Sequence, residues 1–471
     1  MSAPVNRLAS GILTDPVIKS PDANAYLLSV TLNEQLDQEG VKAWLQTVTG
    51  LIEQLEATLE NGKRVATVNV SFAASFFTSA SGAPRFGLSA DQAPVELATR
   101  PFLPALDGIP RVAGDVLFYI MCTSEAAFAT FESGLSATHG TAIVADALER
   151  GFQRHDGREQ FGFRDGQRNI PTAQRPEVVF LDADRSPEEP AWMAGGSYLA
   201  YLKVRQDLAA MAAKSEPEQE AMIGRRKADG SRLDLAPGTP VIGEGPFESE
   251  TCPVNSHVRK AGPRGALHDE TGIFRRGVPY LTLNPDGTQD AGLQFVSFQR
   301  SLEEFAAIFT RWVTNPNFPH EGAGPDALLA SEMITIEKAG FFFSPPRDRR
   351  FVGASIFDAS PPDPCAFGRI VVQKQLVDEN NAPVLAELGN IEFQALQEGQ
   401  PVGTTFTTDS TGRAISPPVP REVPLTVHEV QPPPGFQAQA NDTAVTLTKA
   451  RQLVTIVNHR THEGPAPVYT G

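Results

Sequence analysis

Apolar positions recur along the chain with two periods, and the switch between them marks the elements. AYLLSVTL (25–32) reads as a strand, and EGVKAWLQTVTGLIEQLEATLE (39–60) as a helix. In that helix Val41, Trp44, Leu45, Val48, Leu51, Ile52 and Leu55 recur at intervals of three and four, which places them on one face. RVATVNVSFAASFF (64–77) and VAGDVLFYIMCT (112–123) are strand regions, and SEAAFATFESGL (124–135) opens a second helix with Ser124 as its cap. This order predicts a split β-α-β, ferredoxin-like sheet with helices on one face.

The pattern returns after residue 190. SYLAYLKVRQDLAAMAA (197–213) runs from strand into helix, LQFVSFQRS (293–301) is a strand, LEEFAAIFTRWV (302–313) a helix, and MITIEKAGFFFSP (333–345) a closing strand. Residues 214–250, polar and rich in Pro and Gly, read as a long surface loop. Beyond SPPDPC (360–365) the chain changes to short β-type runs broken by Gly, Pro, Asn and Asp. The expected organisation is therefore α+β: two ferredoxin-like domains with antiparallel sheets over 1–185 and 186–360, then a small all-β, Ig-like sandwich over 367–462.

Composition narrows the function classes. A formal charge of -16 counts against nucleic acid and against anionic membranes, both of which need a basic footprint. Three cysteines, Cys122, Cys252 and Cys365, give neither a disulfide framework nor a thiolate zinc site. The sequence has no run of 18 apolar residues and no apolar leader after MSAPVNRLASG, so the default expectation is a cytoplasmic protein. Export by an unlabelled route, or packaging in a larger shell, stays open.

Nucleotide-cradle, zincin and α/β-hydrolase motifs are missing where they would carry weight. Three segments stand out instead: GFRDG with Asp165, CPVNSHVRKAGPR with His257, and FRRGVPY with Arg275 and Arg276. Each places charged groups inside Gly- or Pro-bounded turns, where a scaffold can aim them. Taken singly, the Asp reads as a turn former, the His as a structural hydrogen-bonder and the Arg pair as surface charge.

In this order the three segments resemble the dye-decolourising (DyP-type) haem peroxidases, with support from EPAWMAGGSYLAYLKVRQDL (189–208), IGRRKADG (223–230), GLQFVSFQRS (292–301) and GFFFSPP (340–346). The resemblance covers residues 20–350 and implies two ferredoxin-like domains enclosing haem b. It implies that His257 is the proximal ligand of the haem iron, an axial imidazole whose other N–H needs an acceptor, with Glu337 as one candidate. Arg259 is expected at a haem propionate, with a surface salt bridge as the plain alternative. Asp165 is implied as the distal acid–base group that moves a proton between the two peroxide oxygens. Arg275 is implied as the distal arginine that stabilises developing negative charge, with Arg276 as the competitor, since one residue of register exchanges the two. Leu293 and Phe295, alternating on one strand face, are expected to form the apolar distal wall. The turn after Asp165 departs from the family pattern, because Ile170 precedes Pro171 in QRNIPT.

The segment beyond 367 lies outside that resemblance. GRIVVQKQL, GNIEFQAL, TTDSTGRA, PLTVHEVQPPPGF and LVTIVNH are similar to the collagen-adhesin B-type, or prealbumin-like, repeat domains of bacterial surface proteins. That resemblance implies an internal amide between Lys374 and Asn458, assisted by Glu429. Alternation supports it independently: Ile370, Val372 and Lys374 share one face, Leu425, Val427 and Glu429 another, and Val454, Ile456 and Asn458 a third. Each polar residue ends an apolar row and is expected to point inward. An ordinary Lys374–Glu429 ion pair is the alternative, and Lys449 is the alternative nucleophile.

The expected function is hydrogen-peroxide-dependent oxidation of bulky dyes, phenols or other one-electron donors. Two other classes are weighed against it: haem or porphyrin binding without turnover, and a structural or binding protein acting through its β-module. Expected partners are hydrogen peroxide and a small reducing substrate, and a homo-oligomer is compatible with the sequence. Trp44, Trp192 and Trp312 are candidate electron relays to the surface.

Overall fold

The computed structural model describes residues 11–13, 20–99, 104–171, 174–181, 188–241, 244–264, 271–346, 348, 350–357, 367–378, 384, 388–409, 411–417, 419–420, 423–437, 442–447 and 451–460. The described residues divide into two compact units, one within 9–359 and one within 360–471.

In the first unit, β1 (Asn24–Leu32) leads into α1 (Gln38–Ala57), which Asp37 caps by accepting from Gly40 N–H. Helix α1 buries Val41, Trp44, Leu45, Val48, Ile52 and Leu55, six of the seven positions that the spacing selects. β2 (Ala66–Ala73), β3 (Val116–Cys122), α2 (Glu125–Ser136, capped by Ser124) and β4 (Ile143–Phe152) complete the first half. The second half holds β5 (Ser197–Gln206), α3 (His257–Ala261), β6 (Phe274–Arg275), β7 (Val278–Leu283) and β8 (Gln289–Gln299). It closes with α4 (Leu302–Ala306, widening to a π-helix over Ala307–Val313), α5 (Ala327–Ala330) and β9 (Ile334–Ser344).

The two halves are joined in one nine-stranded antiparallel sheet, ordered β4-β1-β3-β2-β9-β5-β8-β6 with β7 paired to β8. The junction is the short pairing of Phe342 and Phe343 in β9 with Ala73 and Phe72 in β2. One apolar core spans the halves, from Trp44 and Phe118 to Phe305 and Phe343. The repeated α+β pattern is thus present, but both copies share a sheet and a core; the expected boundary at 185/186 lies outside the described residues.

Residues 214–250 differ from expectation. A helix, Glu216–Ile223, follows Ser215, whose capping box closes with Glu218. The stretch then buries Arg225, Ser231, Arg232 and Glu244. Arg232 donates twice to Asp234, and Arg225 twice to Glu244. Polar residues that look solvent-bound in a linear reading satisfy one another inside the fold.

In the second unit, β10 (Phe367–Val377), β11 (Glu392–Gln397), β12 (Pro424–Glu429), β13 (Thr443–Thr446) and β14 (Arg451–Arg460) are the main strands of two five-stranded sheets. Ile370, Val372, Val454 and Ile456 from one sheet meet Phe393, Ala395, Leu425 and Val427 from the other, which makes the expected sandwich core. β10 and β14 pair in parallel; the other pairings of these sheets are antiparallel among the described residues.

Candidate functional site

Asp165 sits in a turn built for it. Gly162 and Gly166 take positive φ angles of 89° and 68°, which favour glycine. Asp165 N–H donates to Gly157 O (3.0 Å), and Asp165 Oδ1 accepts from Gly166 N–H (2.6 Å). The buried Glu159 carboxylate braces the same turn, accepting from Phe161 N–H, Phe163 N–H and the Gln206 amide. Burial raises the Asp165 carboxyl above its ordinary range, against the Gly166 N–H and the Arg275 charge, which pull it down.

Arg275 pairs with Ser297 across β6 and β8, so it shares a sheet face with Phe295 and Leu293. Its backbone is held by Asn169, whose amide oxygen accepts from Arg275 N–H (3.1 Å) and whose NH2 donates to Arg275 O (2.6 Å). Its guanidinium donates to Gln167 O (2.7 Å), in the segment that carries Asp165. Arg276 faces the other way. It is buried over the rings of Tyr119 and Phe298, and it donates to the carbonyls of Gly11 and Ile12. The register therefore puts Arg275, not Arg276, beside Asp165.

His257 opens α3. Its Nδ1 lies 2.7 Å from Asp326 Oδ2, and Asp326 is fully buried at the start of α5, where Oδ1 accepts from Leu328 N–H. Burial pulls the imidazole pKa down, but the Asp326 charge and hydrogen bond outweigh it and hold it above its ordinary value. Nε2 has no partner among the described residues. The His257 side chain is 40% exposed. Asp165 and Arg275 likewise keep accessible surface. The charges of the three act on one another: Asp165 on Arg275, and Arg275 on His257. A separate open groove of about 610 Å3, lined by Arg205, Phe309, Met333 and Ile336 among others, contains none of the three.

The structure revises two expectations. The acceptor for His257 is Asp326, not Glu337, which instead lies 3.4 Å from Lys203 and 3.6 Å from Arg205. Nothing in the sequence marked Asp326, a lone acid ahead of a four-residue helix. Arg259 is already engaged, with Glu250 at 3.0 Å and Cys252 O at 2.8 Å, so the surface-salt-bridge alternative describes it. Arg168, Arg225 and Arg264 are grouped on Glu244, and Arg225 also acts electrostatically on Arg275. Arg264 Nε is buried without a hydrogen-bond partner among the described residues. An imidazole nitrogen without a partner among the described residues, with guanidinium groups coupled to the same site through Arg275, fits a tetrapyrrole that carries both a metal and carboxylates.

The three tryptophans proposed as relays are all buried, with Trp44 and Trp192 hydrogen-bonded to Thr138 and Gln92 O.

In the second unit Lys374, Glu429 and Asn458 converge as the alternation predicts. Lys374 Nζ lies 2.7 Å from Glu429 Oε1, and Asn458 Nδ2 donates to Glu429 Oε2 at 2.8 Å. The Lys374 side chain has no exposed surface, and Asn458 is equally buried. Burial lowers the Lys374 amine below its ordinary pKa, against the Glu429 hydrogen bond and charge. Lys449 lies outside the described residues.

An imidazole backed by a buried carboxylate, together with an acid–arginine pair, is an arrangement suited to a histidine-ligated cofactor. Residues 156–349 match the family model described as Dyp-type peroxidase, C-terminal. The fold is that of DyP-type peroxidases. It is similar to a DyP-type peroxidase from Streptomyces coelicolor (24% identity, 75% of this chain and 98% of that one, TM-score 0.56). It is also similar to DtpA from Streptomyces lividans in an oxyferrous complex (24% identity, 76% and 100%, TM-score 0.58). A variant of DypB from Rhodococcus jostii in complex with heme matches at 21% identity, over 73% and 98% of the two chains, with TM-score 0.56. Among curated proteins, the deferrochelatases of Shigella sonnei and Escherichia coli strain K12 are 31% identical over 169 residues, 34% of this chain. The matched region spans 39% of the length of those relatives. No helix among the described residues is long and apolar enough to cross a membrane.

Proposed function

We propose that this protein is a haem b peroxidase that reduces hydrogen peroxide and oxidises small one-electron donors such as dyes or phenols. The observation that supports the reading is the electrostatic coupling of Asp165 to Arg275 and of Arg275 to His257, with Arg275 favoured over Arg276 by strand register. Haem, when bound, supplies the iron at which peroxide is reduced and the reductant oxidised. His257 Nε2 would hold that iron, and Asp326 accepts from Nδ1–H, which orients the ring and strengthens it as a donor. Asp165 in its ionised form takes the proton from the first peroxide oxygen and gives it to the departing one. Arg275 stabilises the negative charge on both oxygens. Leu293 and Phe295 supply the apolar wall beside it, on the face they share with Arg275. Arg264, with Arg168 and Arg225, would supply the positive charge that haem propionates need. The test is reconstitution: the wild type shows a histidine-ligated Soret spectrum that changes on adding one equivalent of peroxide. H257A lacks that spectrum, and a histidine-ligated spectrum in H257A overturns the assignment. Haem binding without peroxide turnover is the competing outcome; the acid–arginine pair favours turnover, since ligation alone needs neither.

For the β-sandwich the same proposal extends to a Lys374–Asn458 amide. The neutral Lys374 amine attacks Asn458 Cγ, the Cγ–Nδ2 bond breaks, and Glu429 carries the proton that leaves with ammonia. The observation behind it is the shared carboxylate, which lies within hydrogen-bond range of both reacting side chains. Such a crosslink between first and last strands would add about 4 kcal/mol by restricting the unfolded chain.

A further inference from the structure

Lys260 lies three residues after His257 on α3, on the adjoining position of the same helix face. It is fully buried. Its Nζ donates to Asn315 O (2.6 Å), Phe318 O (2.5 Å) and Gly324 O (2.8 Å), so three ammonium protons meet three carbonyls. The Phe318 ring lies 5.6 Å from the same nitrogen. None of these partners carries a charge. The anion that acts on Lys260 is Asp326, the carboxylate at His257 Nδ1.

The three carbonyls belong to the loop that hands the chain from the π-helix to Asp326. Within it Gly324 N–H donates to Pro316 O, Asp326 N–H to Val313 O, and Ala327 N–H to Asn255 O. Lys260 therefore ties the helix that presents His257 to the loop that presents its acceptor, and sets a buried positive charge behind that acceptor.

We infer that Lys260 is a positioning residue for the His257–Asp326 pair, fixing the Asp326 carboxylate against Nδ1 and so the donor strength of the imidazole. The inference rests on His257 being the haem ligand. An ammonium suits the task because it satisfies three divergent carbonyls at a point, which neither a planar guanidinium nor an amide does as well.

The iron–histidine stretching band of the ferrous, haem-loaded protein, read by resonance Raman spectroscopy, tests it. D326N is expected to lower the band, K260M to lower it in the same direction, and the D326N/K260M double variant to fall no lower than D326N. K260R is expected to recover part of the shift. In the haem-free protein, backbone amides of 315–326 should exchange faster in K260M than in wild type. If K260M folds poorly, K260Q, which keeps a donor, is read in the same way. A wild-type protein without an iron–histidine band overturns the ligand assignment. A wild-type band that D326N shifts and K260M or K260Q leaves in place overturns the role of Lys260, as does a band insensitive to D326N.

Discussion

The Asn169 side chain grips both backbone polar groups of Arg275, accepting from its N–H at 3.1 Å and donating to its C=O at 2.6 Å. Arg275 in turn donates to Gln167 O. The acid's turn and the arginine's strand are thereby one assembly, although Asp165 and Arg275 are 110 positions apart in sequence.

Breaking that grip should displace the arginine without removing it. N169A is expected to retain haem and to slow the reaction with peroxide by about 10-fold or more, since sub-ångström placement governs such steps. Stopped-flow rates at equal haem occupancy decide this.

Removing either distal group should cost more. D165N and R275L are each expected to slow the peroxide step by about 10²–10⁴-fold with haem still bound. Their effects should not add, because both act on one peroxide. R276L should differ in kind: it vacates a site under Tyr119 and Phe298 and releases the carbonyls of Gly11 and Ile12. Its signature is a lower melting temperature, and R276L alone being slow with peroxide would reverse the assignment.

The pH profile follows from the raised Asp165 carboxyl. The ionised form is the base, so the peroxide rate should fall as pH drops through the acid's pKa, above the ordinary carboxylate range. Arg275 favours the ionised form, so in R275L the falling limb should move to higher pH. A limb that does not move would separate the two residues.

The mass of the denatured chain tests the crosslink. Loss of ammonia lowers it by about 17 Da relative to sequence, leaving haem aside. K374A and N458A should each restore the full mass of their own sequences, and E429A should restore all or part of it. An uncrosslinked wild-type mass leaves Lys374–Glu429 as an ion pair.

What the sequence reveals depends on where each residue's partners lie. Helix α1 is legible because its apolar spacing is local. β4 is not, because Val144, Ala145, Asp146 and Ala147 are exposed and hide the strand alternation. The 214–250 segment misleads because its polar residues bind one another, for example Arg225 to Glu244. In the site, Asp165 and His257 are marked by their turns, and the choice between Arg275 and Arg276 needs the pairing with Ser297. Asp326 has no local mark; only folding brings it to His257 across 69 positions. In the sandwich, the alternating rows sufficed to place Lys374, Glu429 and Asn458 inward.

The parallel pairing of β10 with β14 bears on how the sandwich meets force. In a parallel pair, the start of β10 and the end of β14 lie at opposite ends of the ladder, which runs from Arg369 opposite Arg451 to Val377 opposite His459. Tension applied at those two points slides one strand along the other and loads the whole row of hydrogen bonds together, whereas an antiparallel pair pulled from one end opens bond by bond. Along that line the β10–β14 ladder resists as a unit.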